Sequence, residues 1–130
     1  MAEPHPQAID PAHPLVDRVR EICLPLPEAT EMITRGRPAF RAGAGNIFAS
    51  VATSMDRPFT LAFRADDAER PALLEDPRFF IPKYSGAFGW LGTDIDGPDV
   101  DWRFLSELVE TSYRGMANAR QLAALDSRDR

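Results

Sequence analysis

Between Pro38 and Arg64 the chain runs in short stretches of alternating apolar and polar side chains, separated only by turns. Parallel pairing would need a crossover of roughly a dozen residues or more between strands, so links this short demand an antiparallel sheet. Residues 39–42 form the first run, and Ala42-Gly43-Ala44-Gly45-Asn46 reads as a hairpin turn. Residues 47–53 follow, with Ile47, Ala49 and Val51 expected on one face and Phe48 and Ser50 on the other. A second turn at Met55-Asp56-Arg57-Pro58 leads into 59–64, where Phe59, Leu61 and Phe63 alternate with Thr60, Ala62 and Arg64. A weaker strand pattern precedes all of these near 31–35.

The flanks read as helices and two further strands. Leu15, Val16, Val19, Ile22, Cys23 and Leu26 recur at three- and four-residue steps, so 14–24 is an amphipathic helix opened by Pro14 and closed by Pro25 and Pro27. A helix is expected from Asp66 or Asp67, with Asp66 and Glu69 as an acidic capping box and Asp76-Pro77 as its end. Residues 79–81 and 88–95 read as strands around a loop at 82–87. In the second of them Leu91 and Ile95 share one face and Trp90 takes the other. Asp96-Gly97-Pro98 is a turn, and Asp101 caps a last helix carrying Phe104, Leu105, Leu108, Val109 and Tyr113. Beyond Gly115 the pattern fades. The expected organisation is a flexible tail over 1–13, one domain over 14–116, and a loosely ordered extension over 117–130.

At 130 residues and 44% hydrophobic, one domain can bury a core without a disulfide or a metal. Cys23 is the lone cysteine and lies on the first helix's apolar stripe, which makes it a buried, inert thiol. No secretory leader pattern and no apolar run of membrane-spanning length is visible, so the expectation is a cytoplasmic protein without a membrane partner.

The order and spacing of several local motifs resemble the YjbR/MmcQ family of small bacterial proteins. They are 20–27 (REICLPLP), 36–41 (GRPAFR) ahead of a Gly-rich turn and Ile47-Phe48-Ala49, 73–77 (LLEDP), 84–90 ending in Gly-Trp, and 108–114 ending in Ser-Tyr-Arg. The resemblance implies an α+β, two-layer fold, an antiparallel sheet flanked by helices. Relatives are described as DNA-binding with a double-wing arrangement, by fold analogy, and the family has no established enzyme activity.

The residues themselves offer little catalytic chemistry. A nucleophile needs a base and an orienting group, yet His5 and His13 sit near the N-terminus and Cys23 is on a core stripe. Asp94, Asp96, Asp99 and Asp101 could in principle hold a divalent cation, but a turn and a helix cap account for them, and no metal or other cofactor is expected. No enzyme is expected.

Charge is the more informative signal. Net charge is −5, but Arg35, Arg37, Arg41, Arg57 and Arg64 stand against Asp56 alone in one region. Six acids stand against Arg103 between Asp94 and Glu110. The candidate binding residues are Arg37, Arg41, Arg57, Arg64, Lys83, Tyr84 and Trp90: cations for phosphates and rings for a base. Two functions compete. One is weak, mainly electrostatic DNA binding; the other is a protein-interaction adaptor using an exposed sheet face.

Overall fold

The computed structural model describes residues 9–54, 56–82 and 89–128. The chain order is α1 (Pro14–Cys23), β1 (Ala29–Thr34), β2 (Arg37–Ala42), β3 (Ile47–Ala52), β4 (Thr60–Arg64), α2 (Arg70–Glu75), β5 (Phe79–Phe80), β6 (Trp90–Asp94), α3 (Trp102–Met116) and α4 (Ala119–Arg128). The strands form one six-stranded sheet in the order β1-β2-β3-β4-β6-β5, and all its pairings are antiparallel. The expected α+β, two-layer architecture is therefore the observed one.

The strand near 31–35 is a full partner, pairing along its length from Ala29↔Ala42 to Thr34↔Arg37. A two-residue turn joins β1 to β2, and both of its residues have positive φ, Arg35 at 54° and Gly36 at 75°. Such a turn matches the twist of the flanking strands. Glycine adopts this backbone freely, whereas Arg35 does so at a steric cost.

One face of the sheet carries the core. Phe40, Val51, Leu61, Phe63, Leu91 and Phe79 cluster there with Val16 and Val19 of α1, Leu73 of α2, Leu105, Leu108, Val109 and Tyr113 of α3, and Leu125 of α4. Phe63, Phe79 and Phe104 stack edge to face, with centroids 6.0 and 5.9 Å apart, a favoured aromatic geometry.

The alternation expected for 47–53 breaks at one point. The β2–β3 register passes from Phe40↔Ala49 to Arg41↔Ile47, so Phe48 is an extra residue in a β-bulge. The bulge turns Phe48 into the core, fully buried and edge-on to Tyr113 with centroids 5.3 Å apart. Phe48 and Ala49 thus both join the core cluster, which strict parity forbids.

Continuing the β3–β4 register beyond Ala49↔Phe63 would set Phe48 opposite Arg64. At that step the Ser112 hydroxyl stands between the strands. It accepts from the Arg64 N–H at 3.0 Å and donates to the Phe48 carbonyl at 2.6 Å. Its neighbours also fasten α3: the Tyr113 hydroxyl donates to the Pro27 carbonyl at 2.6 Å, and Arg114 donates to Asp126 of α4 at 3.0 Å.

Several boundaries differ from the sequence expectations. The helix expected from Asp66 starts at Arg70 with Glu69 as its cap and no capping side-chain bond, while Asp66 instead closes a turn by accepting from Ala68 N. From Ile9 the N-terminal stretch is docked, because Ile9 is buried and its N–H donates to the Gly36 carbonyl. His13 caps α1 by accepting from Leu15 N, and its ring lies 4.3 Å from that of Phe59. Beyond Gly115, where the sequence pattern fades, α4 packs with Gln121 and Leu125 buried. Its docking is polar as well as apolar, which is why periodicity missed it. Arg120 and Gln121 donate to Glu28, and Arg128 donates to the Pro25 carbonyl.

Ser112→Ala orphans the Phe48 carbonyl and the Arg64 N–H, each costing about 1–3 kcal/mol. The unfolding free energy from denaturant titration should fall by about 2–4 kcal/mol, and a change within error of zero would show that the bridge is dispensable. Acid should loosen α4. Hydrogen bonds from Arg120 and then Gln121 hold the Glu28 carboxyl below the usual carboxylate range. A depressed carboxyl stabilises the fold above its unfolded pKa and loses that contribution as pH falls through the folded value. Amide exchange in α4 should therefore accelerate relative to α3 in acid, and Glu28→Gln should give the same loosening at neutral pH.

Candidate functional site

The second face of the sheet is built by the alternate residues of the same strands. Ala39, Ser50, Ala62, Gly92 and Phe80 form its central row, fixed by the pairings Ala39↔Ser50, Ser50↔Ala62, Ala62↔Gly92 and Phe80↔Gly92. Ala39 and Ala62 are buried yet belong to no part of the core cluster. The buried apolar residues of all four helices lie in that cluster, on the opposite side. Among the described residues no helix covers this face of the sheet.

Parity from that row places Arg37 and Arg41, two residues either side of Ala39, on the helix-free face. Arg64 lies two residues beyond Ala62, and Trp90 two before Gly92; the register pairs them directly, Arg64↔Trp90. Arg41 pairs with Ile47 at the same end of the sheet. Arg41 and Arg64 are two strands apart, about 10 Å, and Arg37 lies about 13 Å along β2 from Arg41. Arg37, Arg41, Arg64 and Trp90 are all half-buried. The small central row gives the arginine stems room to lie across the sheet, and the Nε atoms of Arg37 and Arg41 are buried.

The four expected arginines are not equivalent. Arg57 stacks its guanidinium 3.7 Å above the centre of the Phe80 ring and donates to Asp94 at 2.6 Å. Thr60 donates to the other carboxylate oxygen at 3.3 Å. Asp94 and Phe80 share the helix-free face, so Arg57 is at its rim but is neutralised there. Phe80 in turn depends on Gly92, where a Cβ would sit 2.9 Å from the ring and 2.9 Å from the Thr60 methyl. Arg64 lies over Gly89 and approaches Asp67 at 3.7 Å, a loose and partly exposed pair of small energetic weight. Among the described residues Arg41 forms no ion pair or side-chain hydrogen bond, and its buried Nε has no acceptor. Lys83 and Tyr84 lie outside the described residues.

Apart from Asp94 and Asp67, the acids singled out in the sequence lie elsewhere. Glu107 and Glu110 belong to α3, beyond the core, and Glu110 faces Arg114 at 3.8 Å. Asp101 caps α3 by accepting from Phe104 N. Asp94, Asp96, Asp99 and Asp101 line a cleft of about 310 Å³ together with Arg57 and Arg78. Among the described residues no group of three or more His, Cys, Asp or Glu side chains is arranged to hold a metal ion. No helix among them is long and apolar enough to cross a membrane.

The YjbR family model matches residues 24–115. No curated protein matches the chain. A crystal structure of a Deinococcus radiodurans protein with a DUF419 family-model domain is similar in fold, with a TM-score of 0.63 and 22% identity over 75% of each chain. That degree of identity carries the fold and nothing finer.

Burial also governs the reactivity of Cys23. It is fully buried, and that burial, with a smaller contribution from the Glu31 charge, pushes the thiol well above its ordinary range. The thiolate is the reactive form. A disulfide exchange reagent at neutral pH should therefore label the folded protein hardly at all and the denatured protein completely. Rapid labelling of the folded protein would place Cys23 in reach of solvent.

Proposed function

The chain belongs to the YjbR family, and from that premise and the geometry of the helix-free face we propose that it binds nucleic acid, mainly through the phosphate backbone. The observation that carries this reading is Arg41. It is a half-buried cation held on an open face, with no internal acceptor among the described residues, and Arg37 and Arg64 share that face. A chain of net charge −5 keeps its α3 acids on the other side of the sheet. A polyanion approaching the arginine face therefore meets cations before it meets carboxylates. Contacts of this kind position a nucleic acid without reading its bases, so affinity is modest and falls with salt. The role we infer is non-catalytic.

A protein-contact role is the second reading, favoured by one observation. Ile33 and Ile81, near the two edges of the sheet, are 53% and 52% exposed.

Titration of a labelled duplex at two salt concentrations tests the first reading. Binding should appear at low salt and weaken steeply as salt rises. Arg41→Ala with Arg64→Ala should weaken it to a similar extent on all sequences and flatten the log–log salt slope by about 0.9 for each phosphate no longer neutralised. Arg57→Ala should do less, since Asp94 already neutralises that cation. No binding at low salt would end the nucleic-acid reading and leave the protein contact.

A further inference from the structure

We infer that the helix-free face takes a single-stranded nucleic acid in preference to a duplex, with an unpaired base stacked on Trp90; this rests on the nucleic-acid reading above. At one end of the sheet Trp90 on β6 pairs with Arg64 on β4, and Arg41 on β2 lies two strands further on, beside Ile47. A strand laid across β6, β4, β3 and β2 meets a ring, a cation and a second cation within about 15 Å. Cations that track a backbone beside an aromatic platform are the chemistry by which unpaired strands are held. A ring can stack only on a base whose face is free, and in a duplex the neighbouring pairs occupy it.

The rest of the face points the same way. A duplex is read by a helix or ribbon that rises into a groove. All four helices pack on the opposite side of this sheet, and its central row is small: Ala39, Ser50, Ala62 and Gly92. Phe80, another ring on this face, is already capped by the Arg57 guanidinium. Trp90 is half-buried and sits next to Arg64, which places the platform at the cationic end rather than at the Arg57–Asp94 end.

Tryptophan emission provides the test. The chain has two tryptophans, and Trp102 packs against the core under Arg18, away from this face. Trp102→Phe therefore isolates the Trp90 signal. Oligothymidylate of about 12 nucleotides and a mixed-sequence duplex of equal length are titrated at one low salt concentration. The expected result is tighter binding of the single strand, with Trp90 emission quenched at saturation. Trp90→Ala should then lose about fivefold or more in single-strand affinity while duplex affinity changes little. Trp90→Phe, which keeps a ring, should lose less and guards against a folding defect in the alanine variant. Equal or tighter binding of the duplex, or unchanged Trp90 emission with the single strand bound, overturns this inference and leaves backbone binding standing. Absence of binding by either probe overturns both.

Discussion

The Ser112 hydroxyl is the joint on which the arrangement depends. A bulge at Phe48 delivers a large ring to the core but takes its carbonyl out of the β3–β4 ladder. An unpaired carbonyl and N–H in the interior would each cost about 1–3 kcal/mol. One hydroxyl from α3 answers both, accepting from Arg64 N and donating to Phe48 O. Helix, bulge and strand end are thereby fixed to one another. The strand end so fixed belongs to Arg64, so an interior polar contact sets where a surface cation stands. The Ser-Tyr-Arg run then gains a physical meaning. Ser112 closes the sheet, Tyr113 ties α3 to the chain entering β1, and Arg114 holds α4.

The two faces of the sheet solve different packing problems. The core face is filled by large apolar side chains that interdigitate with α1 and α3. The other has no helix to cover it among the described residues and is lined with small residues, over which long side chains fold down. Arginine suits that role because its stem is apolar and its head is strongly charged. The cost is visible in the buried Nε of Arg41, which lacks an acceptor among the described residues. At the opposite end the same logic uses an aromatic ring. Phe80 lies over Gly92, and Arg57 lies over Phe80 with Asp94 as counter-ion. The Arg57–Asp94 end of the face is thus internally satisfied, and Arg41 stands at the other.

The acids of α3 and the arginines of the sheet lie in different layers. The acids of α3 are separated from the arginines of β2 and β4 by the core, and several acids pair locally, as Glu110 does with Arg114 and Asp76 with Arg78. Arg20 is bound to Glu31 and Asp17 at the rim of α1, and those contacts raise its pKa further above its already high value. Ion pairs of this kind tie neighbouring elements together at the surface. Arg41 stands apart from them, since among the described residues it meets no acid.

Much of this was written in the order of residues. Short turns between alternating runs dictated antiparallel pairing, and the two-residue period set Trp90 apart from Leu91; Arg37, outside the expected 39–42 strand, joined Arg41 on one face only once β2 was seen to begin at Arg37. Parity defines two faces but does not say which one the helices cover. That was decided by the packing of α1 and α3 against Phe40, Phe63 and Leu91, an interaction between segments far apart in the chain. The bulge at Phe48 could not be read either, because a single inserted residue leaves hydrophobicity unchanged and shows itself only when the partner strand is in place. Nor could α4, whose hold on Glu28 spans more than 90 positions. The same holds for the inequality among the arginines. Arg57 and Asp94 stand 37 residues apart in sequence and 2.6 Å apart in the fold. Local pattern determined most of the elements, and the faces of their side chains where no bulge intervenes. That Arg57 is neutralised while Arg41 meets no acid among the described residues was settled by long-range contacts, because charge compensation depends on distance in space and not along the chain.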